Sequence, residues 1–248
     1  MFVICVVCHN RKPYTRDCIE SLVANTSLPH RIVAVDNAST DGTPQYLRGM
    51  LRVGAIQAVI LNDENLYPGA ACNQGWREGI RGMPDATYLV RSDNDMLYER
   101  GWDREVHECF QVIPALGQVS TMNMDEHWRD RQGPAPVVPL TASGKTVNVY
   151  WNSVGGNTAI RRIIWDDGLR YSEKSWKEAP YEDRLLSKHI GEMGWIVGAV
   201  LPKLVRVNHS RDDEYTEYYK ITLRDRGFSE AEIDQRVAEE VERRRTGY

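Results

Sequence analysis

Two carboxylates one residue apart, in Asp93-Asn94-Asp95, stand just beyond the apolar run 86–90. Hard divalent cations take carboxylate oxygen and commonly keep substrate phosphate in their remaining positions, so magnesium or manganese holding a phosphorylated ligand is the chemistry such a pair supports. The spacing alone also suits a solvated turn; its place after a buried strand is what separates the two. A second acidic pair, Glu182-Asp183, follows Pro180. Acids there complement the dipole of a helix that begins at the proline, and a carboxylate in the same place is equipped to take a proton from a hydroxyl. The segment Asp36-Asn37-Ala38-Ser39-Thr40-Asp41-Gly42 is turn chemistry that caps a following helix while presenting acids and amides at a strand end. A dinucleotide fingerprint would need glycines after the first strand. That turn reads Cys8-His9-Asn10-Arg11-Lys12-Pro13, without one, and no P-loop occurs elsewhere.

The elements that must position these groups alternate. Residues 2–7 form a short apolar run rich in valine and isoleucine, which predicts a buried parallel strand. Pro13 opens a helix through about residue 24. Further strands are expected at 31–35, 55–61 and 86–90, with helices from Thr43 and over 69–81. Such alternation predicts a Rossmann-like, mostly parallel sheet flanked by helices, and ligands in these sheets bind outside the carboxyl ends of the strands. The polar clusters 8–11, 36–41, 62–65 and 93–95 all fall there. The second half is less regular: residues 122–145 read as a long loop, 147–160 as extended, 181–192 as a helix, 195–200 and 204–207 as strands. From residue 211 onward the chain is highly charged and helical.

The 248 residues suffice for one full core, and 42% hydrophobic with 27% charged residues is ordinary for a soluble protein. A net charge of -4 gives no general attraction to nucleic acid or anionic lipid. Five scattered cysteines suit a reducing compartment rather than a disulfide framework. Cys5 and Cys8 have C-x-x-C spacing, but on a strand they point to opposite faces, which favours structural burial over zinc or redox chemistry. The apolar start is too short for a membrane span or a signal peptide. A cytoplasmic location is expected, with peripheral membrane association as an alternative.

With these motifs in order, the chain resembles a family 2 glycosyltransferase of the GT-A fold. The residues that carry the likeness are 35–43, Asn65 through Gly75 (with Gly69 and Asn73), Asp93-Asn94-Asp95, and Glu182-Asp183 with Leu185. It implies a transferase domain over 1–210, divided into a nucleotide-binding half (1–98) and an acceptor-side half (99–210), followed by a charged helical tail over 211–248. It further implies that Asp36 or Asn37 reads the nucleobase, that Asn10 and Arg11 contact base or ribose, and that Asn65 and Asn73 belong to a segment walling the nucleotide pocket. Asp95 is the expected direct metal ligand, with Asp93 toward the ribose or on the metal through water, Asn94 on the nucleotide side, and His209 as a late histidine ligand of the metal. Asp183 becomes the general base, with Glu182 the alternate. Trp151, Trp176, Gly155 and Gly156 are expected to shape the sugar and acceptor side, Trp176 foremost; tryptophans also fill cores.

The expected reaction is an inverting transfer from a nucleotide-sugar, UDP first and TDP or GDP next, assisted by manganese or magnesium. One base and one metal suffice for it, whereas a two-carboxylate hydrolase would need a second acid beside the sugar. A nucleotidyltransferase that makes nucleotide-sugars is disfavoured by the glycine-free loop 8–13. A non-catalytic sugar-nucleotide binder is disfavoured by the joint presence of Asp95, Asp183 and His209. The acceptor is open: lipid-linked sugar, polysaccharide, protein, small molecule and modified DNA all fit. The tail could dock an acceptor, a membrane surface or another subunit in a homo-oligomer, against the default of a solvated charged face.

Overall fold

The computed structural model describes residues 1–121, 138–150, 157–174, 178, 182–201, 204–208, 212–225 and 227–246. The first stretch alternates as its apolar runs predict: β1 (Phe2–Cys8), α1 (Lys12–Asn25), β2 (His30–Asn37), α2 (Thr43–Arg52), β3 (Ala58–Asn62), α3 (Tyr67–Gly82) and β4 (Tyr88–Asp93). β1 is buried along its whole length, as a strand covered on both faces must be. One face, Phe2, Ile4, Val6 and Cys8, packs with Cys18, Ile19 and Leu22 of α1. The other, Val3, Cys5 and Val7, packs with Cys72 and Trp76 of α3. Cys5 and Cys8 therefore lie on opposite faces, buried and unbonded.

The four strands run parallel in the order β3-β2-β1-β4. Their register pairs Cys8 with Asp36 and Val7 with Asp93, so the polar strand ends finish at neighbouring levels of one sheet edge. Helix α3 lies unusually close to β1. A Cβ at Gly75 would overlap Cys5 Sγ, and one at Gly79 would overlap Val3 Cγ1. Trp76 then reaches across to donate from Nε1 to the Val90 carbonyl at 2.9 Å.

Beyond β4 come β5 (Met96–Tyr98), α4 (Trp102–Val112), β6 (Leu116–Ser120), β7 (Val138–Ala142), β8 (Lys145–Val149), β9 (Thr158–Arg161), α5 (Arg162–Asp166), α6 (Glu182–Glu192), β10 (Ile196–Leu201) and β11 (Val205–Val207). They complete a nine-stranded sheet of order β3-β2-β1-β4-β9-β6-β10-β8-β7 and a two-stranded sheet of β11 and β5. Strand β9 runs antiparallel to both neighbours and joins the halves of the large sheet. Most strands point the same way, and helices cover both faces.

The expected loop over 122–145 needs correction at its end. Residues 138–149 form an antiparallel hairpin, β7 with β8, turning through Ser143 (φ 47°) and Gly144 (φ 78°). Two consecutive positive φ values match the twist of the flanking strands, which is why so short a loop closes the pair. The expected elements also omitted α4 and β6.

The chain divides into two compact units, Met1–Val207 and Asn208–Tyr248. In the second, α7 (Asp212–Asp225) packs on α8 (Glu230–Thr246). Ser229 and Glu232 form a capping box at the start of α8: the Ser229 amide donates to Glu232 Oε2 at 2.8 Å, and the Glu232 amide returns to Ser229 Oγ at 3.4 Å. Among the described residues no helix is long and apolar enough to cross a membrane.

Candidate active site

Strain marks the strand ends. Among the described residues five non-glycine residues have positive φ. Four of them follow the ends of β1, β2 and β3: Asn10 (53°), Arg11 (61°) and Ala38 (60°) in loops, and Tyr67 (64°) at the first position of α3. Left-handed backbone at non-glycine residues costs on the order of 1 kcal/mol or more each and gathers where a surface must be held in a set shape. Hydrogen bonds hold it here. The Asn10 amide donates to Ser39 Oγ at 2.7 Å, and the Thr40 amide to Asn10 Oδ1 at 2.8 Å. Asp41 accepts from the Lys12 amide at 2.7 Å and from the Thr43 amide at 3.1 Å, tying two helix starts together. His9 Nδ1 lies 2.7 Å from the Asn37 carbonyl. Asn94, buried, donates from Nδ2 to the Asn10 carbonyl and to Thr15 Oγ1, at 3.0 and 2.9 Å.

Around this frame sit five carboxylates and two arginines. Arg11 Nη1 donates to Asp95 Oδ2 at 3.0 Å and stacks its guanidinium over Tyr14, 4.2 Å from the ring centroid. Arg91, side chain 4% exposed, donates from Nε and Nη2 to Asp93 Oδ1 at 3.2 and 3.1 Å, and from Nη1 to Glu182 Oε1 at 3.0 Å. Burial alone would drive this guanidinium toward neutrality, but Asp93 and then Glu182 outweigh it and raise its pKa. Asp183, beside Glu182, has its pKa raised by burial and then by the Glu182 charge, with Arg91 opposing both. Asp36 accepts from the Ser39 amide through Oδ2 at 3.0 Å, while its Oδ1 is buried and has no hydrogen-bond partner among the described residues.

Other expected residues serve as braces. Asn73 exchanges bonds with Tyr171, Nδ2 to its carbonyl at 3.0 Å and Oδ1 from its amide at 3.1 Å, and Nδ2 also reaches Glu173 at 3.0 Å. Asn37 Oδ1 accepts from Asn62 Nδ2 at 2.9 Å, which is shared with Gln74 Oε1 at 3.0 Å. Asn65 accepts the Tyr67 amide at 3.0 Å and lines, with Tyr67, Gln74, Arg77 and Glu173, a cleft of about 420 Å³. His209, Trp151, Trp176, Gly155 and Gly156 lie outside the described residues.

Carboxylate oxygens at Asp93 and Asp95 are of the donor type that hard divalent cations take. Each carboxylate gives one oxygen to an arginine; Asp93 Oδ2 and Asp95 Oδ1 carry no hydrogen bond among the described residues. Among those residues no group of three or more His, Cys, Asp or Glu side chains could hold an ion alone. Two hard oxygens with a diphosphate completing the shell is a pattern that magnesium and manganese accept.

Residues 3–164 match the sequence profile of glycosyl transferase family 2. The chain belongs to that family. No curated protein matches it in sequence. Its fold is that of GT-A glycosyltransferases. TarS of S. aureus aligns at TM-score 0.60 and 17% identity over 96% of this chain and 42% of that one. A TarS 1-349 structure in complex with UDP-GlcNAc aligns at 0.61 and 15%, over 96% and 70%. The mannosyltransferase PcManGT from Pyrobaculum calidifontis, in complex with GDP-Man and Mn2+, aligns at 0.60 and 18%, over 80% and 56%. This family 2 chain thus spans 42% of the length of TarS and 56% of that of the mannosyltransferase.

In the sequence, Arg91, Gln74 and Tyr171 drew no role, and Asn62 was named only within the polar cluster 62–65. Arg91 carried a usable signal: a charge directly at the end of an apolar strand run must find partners if the strand continues through it, because such side chains are almost never fully buried alone.

Proposed function

We propose that this family 2 chain is an inverting glycosyltransferase that moves a sugar from a nucleoside-diphosphate donor to an acceptor hydroxyl. The observation that carries the reading is the joining of Asp93, at the end of β4, to Glu182, at the start of α6, through one buried arginine. It ties the carboxylate that we assign to the diphosphate side to the acidic pair that we assign to the base side. Asp183 takes the proton of the acceptor hydroxyl while that oxygen bonds to the anomeric carbon from the face opposite the diphosphate. The bond from the anomeric carbon to the diphosphate oxygen breaks as it forms, and the nucleoside diphosphate leaves with the electron pair. A divalent cation held through Asp95 and Asp93, when bound, neutralises charge growing on that leaving group.

Asp36 Oδ1 is a buried acceptor that lacks a donor among the described residues, and buried acceptors normally have one. A base with a ring N–H supplies it: uracil first, thymine or guanine next. The raised pKa of Asp183 suits proton capture, since a carboxylate disfavoured in its charged form holds a proton more tightly.

The test is donor turnover with UDP-, TDP- and GDP-sugars, with and without manganese, using wild type and Asp183→Asn. Manganese-stimulated release of UDP is expected, with inversion at the anomeric carbon. Asp183→Asn should lower turnover by about 10²–10⁴-fold while nucleotide affinity is retained. Wild-type turnover in the variant would remove Asp183 from the base role.

A further inference from the structure

Arg91 is an odd occupant of its position. It sits within β4 between Val90 and Ser92, both fully buried, on the sheet face it shares with Leu89 and the α3 packing. A well-packed apolar side chain would be as stable there, because bringing a charge out of water costs about as much as its pairing returns. Folding alone therefore gives no reason for an arginine.

Its surroundings do. The guanidinium is a planar fork with five donors, and three of them are used in two directions: Nε and Nη2 on a single oxygen of Asp93, Nη1 on Glu182. Its third neighbour is the Tyr171 ring, 5.1 Å from the guanidinium carbon. That ring is fixed independently, since Asn73 holds both the amide and the carbonyl of Tyr171. Glu182 lies close to α3: a Cβ at Gly69, in the first turn of that helix, would come within 3.4 Å of its Cγ. The fork thus joins β4 to α6 beside the Tyr171 segment that Asn73 of α3 holds.

We infer that Arg91 is a positioning residue that fixes the donor-side carboxylate Asp93 and the first turn of α6 as one unit, so that Asp183 is aligned with the donor before an acceptor arrives. The inference rests on the transferase reading above. Two consequences follow from the geometry. By occupying Oδ1, Arg91 leaves Asp93 to face the donor through Oδ2 alone. By compensating Asp93 and Glu182 together, it lets three carboxylates, Asp183 included, stand near one another where they would otherwise repel. Lysine keeps the charge but cannot reproduce a fork that points two ways.

The experiment is a set of steady-state kinetics on the full chain, with UDP affinity measured by calorimetry, for Arg91→Lys, Arg91→Met, Glu182→Gln and the double variant Arg91→Met/Glu182→Gln. Arg91→Met should lower kcat on the order of 10²-fold, the loss typical of a misplaced reacting group, and Arg91→Lys by about tenfold. KM for the donor should move far less than kcat, and UDP should still bind. The distinguishing result is rescue. Removing Glu182 from the Arg91→Met background takes away the uncompensated charge, so the double variant should exceed Arg91→Met alone, which loss of structure would not produce. If Arg91→Met fails to fold, Arg91→Lys carries the test, because it retains the buried charge. Multiplying losses in the double variant, or wild-type kcat in Arg91→Lys, overturns the role of Arg91 alone. A wild-type protein inert toward every nucleotide-sugar overturns the transferase reading and this inference with it.

Discussion

Asp183 is a carboxylate made more basic by its surroundings, and a pH profile reads that directly. Its folded pKa is raised above that of an ordinary aspartate, near 3.9, by burial and by the Glu182 charge. In the proposed base role the ionised form accepts a proton, so activity is expected to be full above this raised value and to fall as pH drops through it. The acidic limb of kcat/KM should therefore lie above the usual aspartate range. Glu182→Gln removes the second cause of the rise and should move that limb to lower pH; an unmoved limb would mean that another group titrates. The carboxylates themselves were legible in the sequence, because Asp93-Asn94-Asp95 follows an apolar run and Glu182-Asp183 follows a proline. Their pairings were not. Which cation meets which acid depends on strand register, and Arg11 with Asp95 or Arg91 with Glu182 are partners more than eighty positions apart.

At the scale of elements, the scaffold of the first four strands depends on how closely α3 approaches β1. Gly75 and Gly79 are the positions on α3 where an added Cβ would overlap β1 side chains. Gly75→Ala places a methyl against Cys5 Sγ and Val35 Cγ2, and overpacking of that kind costs about 1–3 kcal/mol. Urea unfolding should show the midpoint fall with an unchanged slope. A midpoint equal to wild type would mean that α3 moves off the sheet without cost. The first four strands and three helices were readable because each apolar run has the length and period of its element and ends in turn residues. The hairpin β7–β8 was hidden by composition: residues 138–149 follow a stretch rich in proline and glycine, and the positive φ at Ser143 is a demand of the turn rather than a habit of serine. Strand β9 fell within the stretch 147–160 read as extended but was not separated from it, since four residues carry too little pattern to set their own bounds.

For the molecule as a whole, thiol chemistry offers a simple probe of integrity. All five cysteines are free and fully buried. Burial pushes the Cys18 thiol up to about 12 and raises Cys8 and Cys72 as well, so neither access nor thiolate is on offer in the folded state. The native protein should resist a thiol-reactive disulfide reagent, and in denaturant it should titrate five groups. Prompt reaction without denaturant would show that one face of the core opens. The seam at β9 bears on how such a sheet is made during synthesis. Strands β3, β2, β1 and β4 can pair as soon as residue 93 has emerged, but the free side of β4 has no partner until Thr158–Arg161 is translated. Until then the nascent chain carries an unsatisfied backbone edge beside Leu89 and Val90, which is a surface for mispairing with other chains. Slowed elongation between those two points would lengthen that exposure, so the yield of folded protein should depend on the pace of the ribosome across the middle of the message.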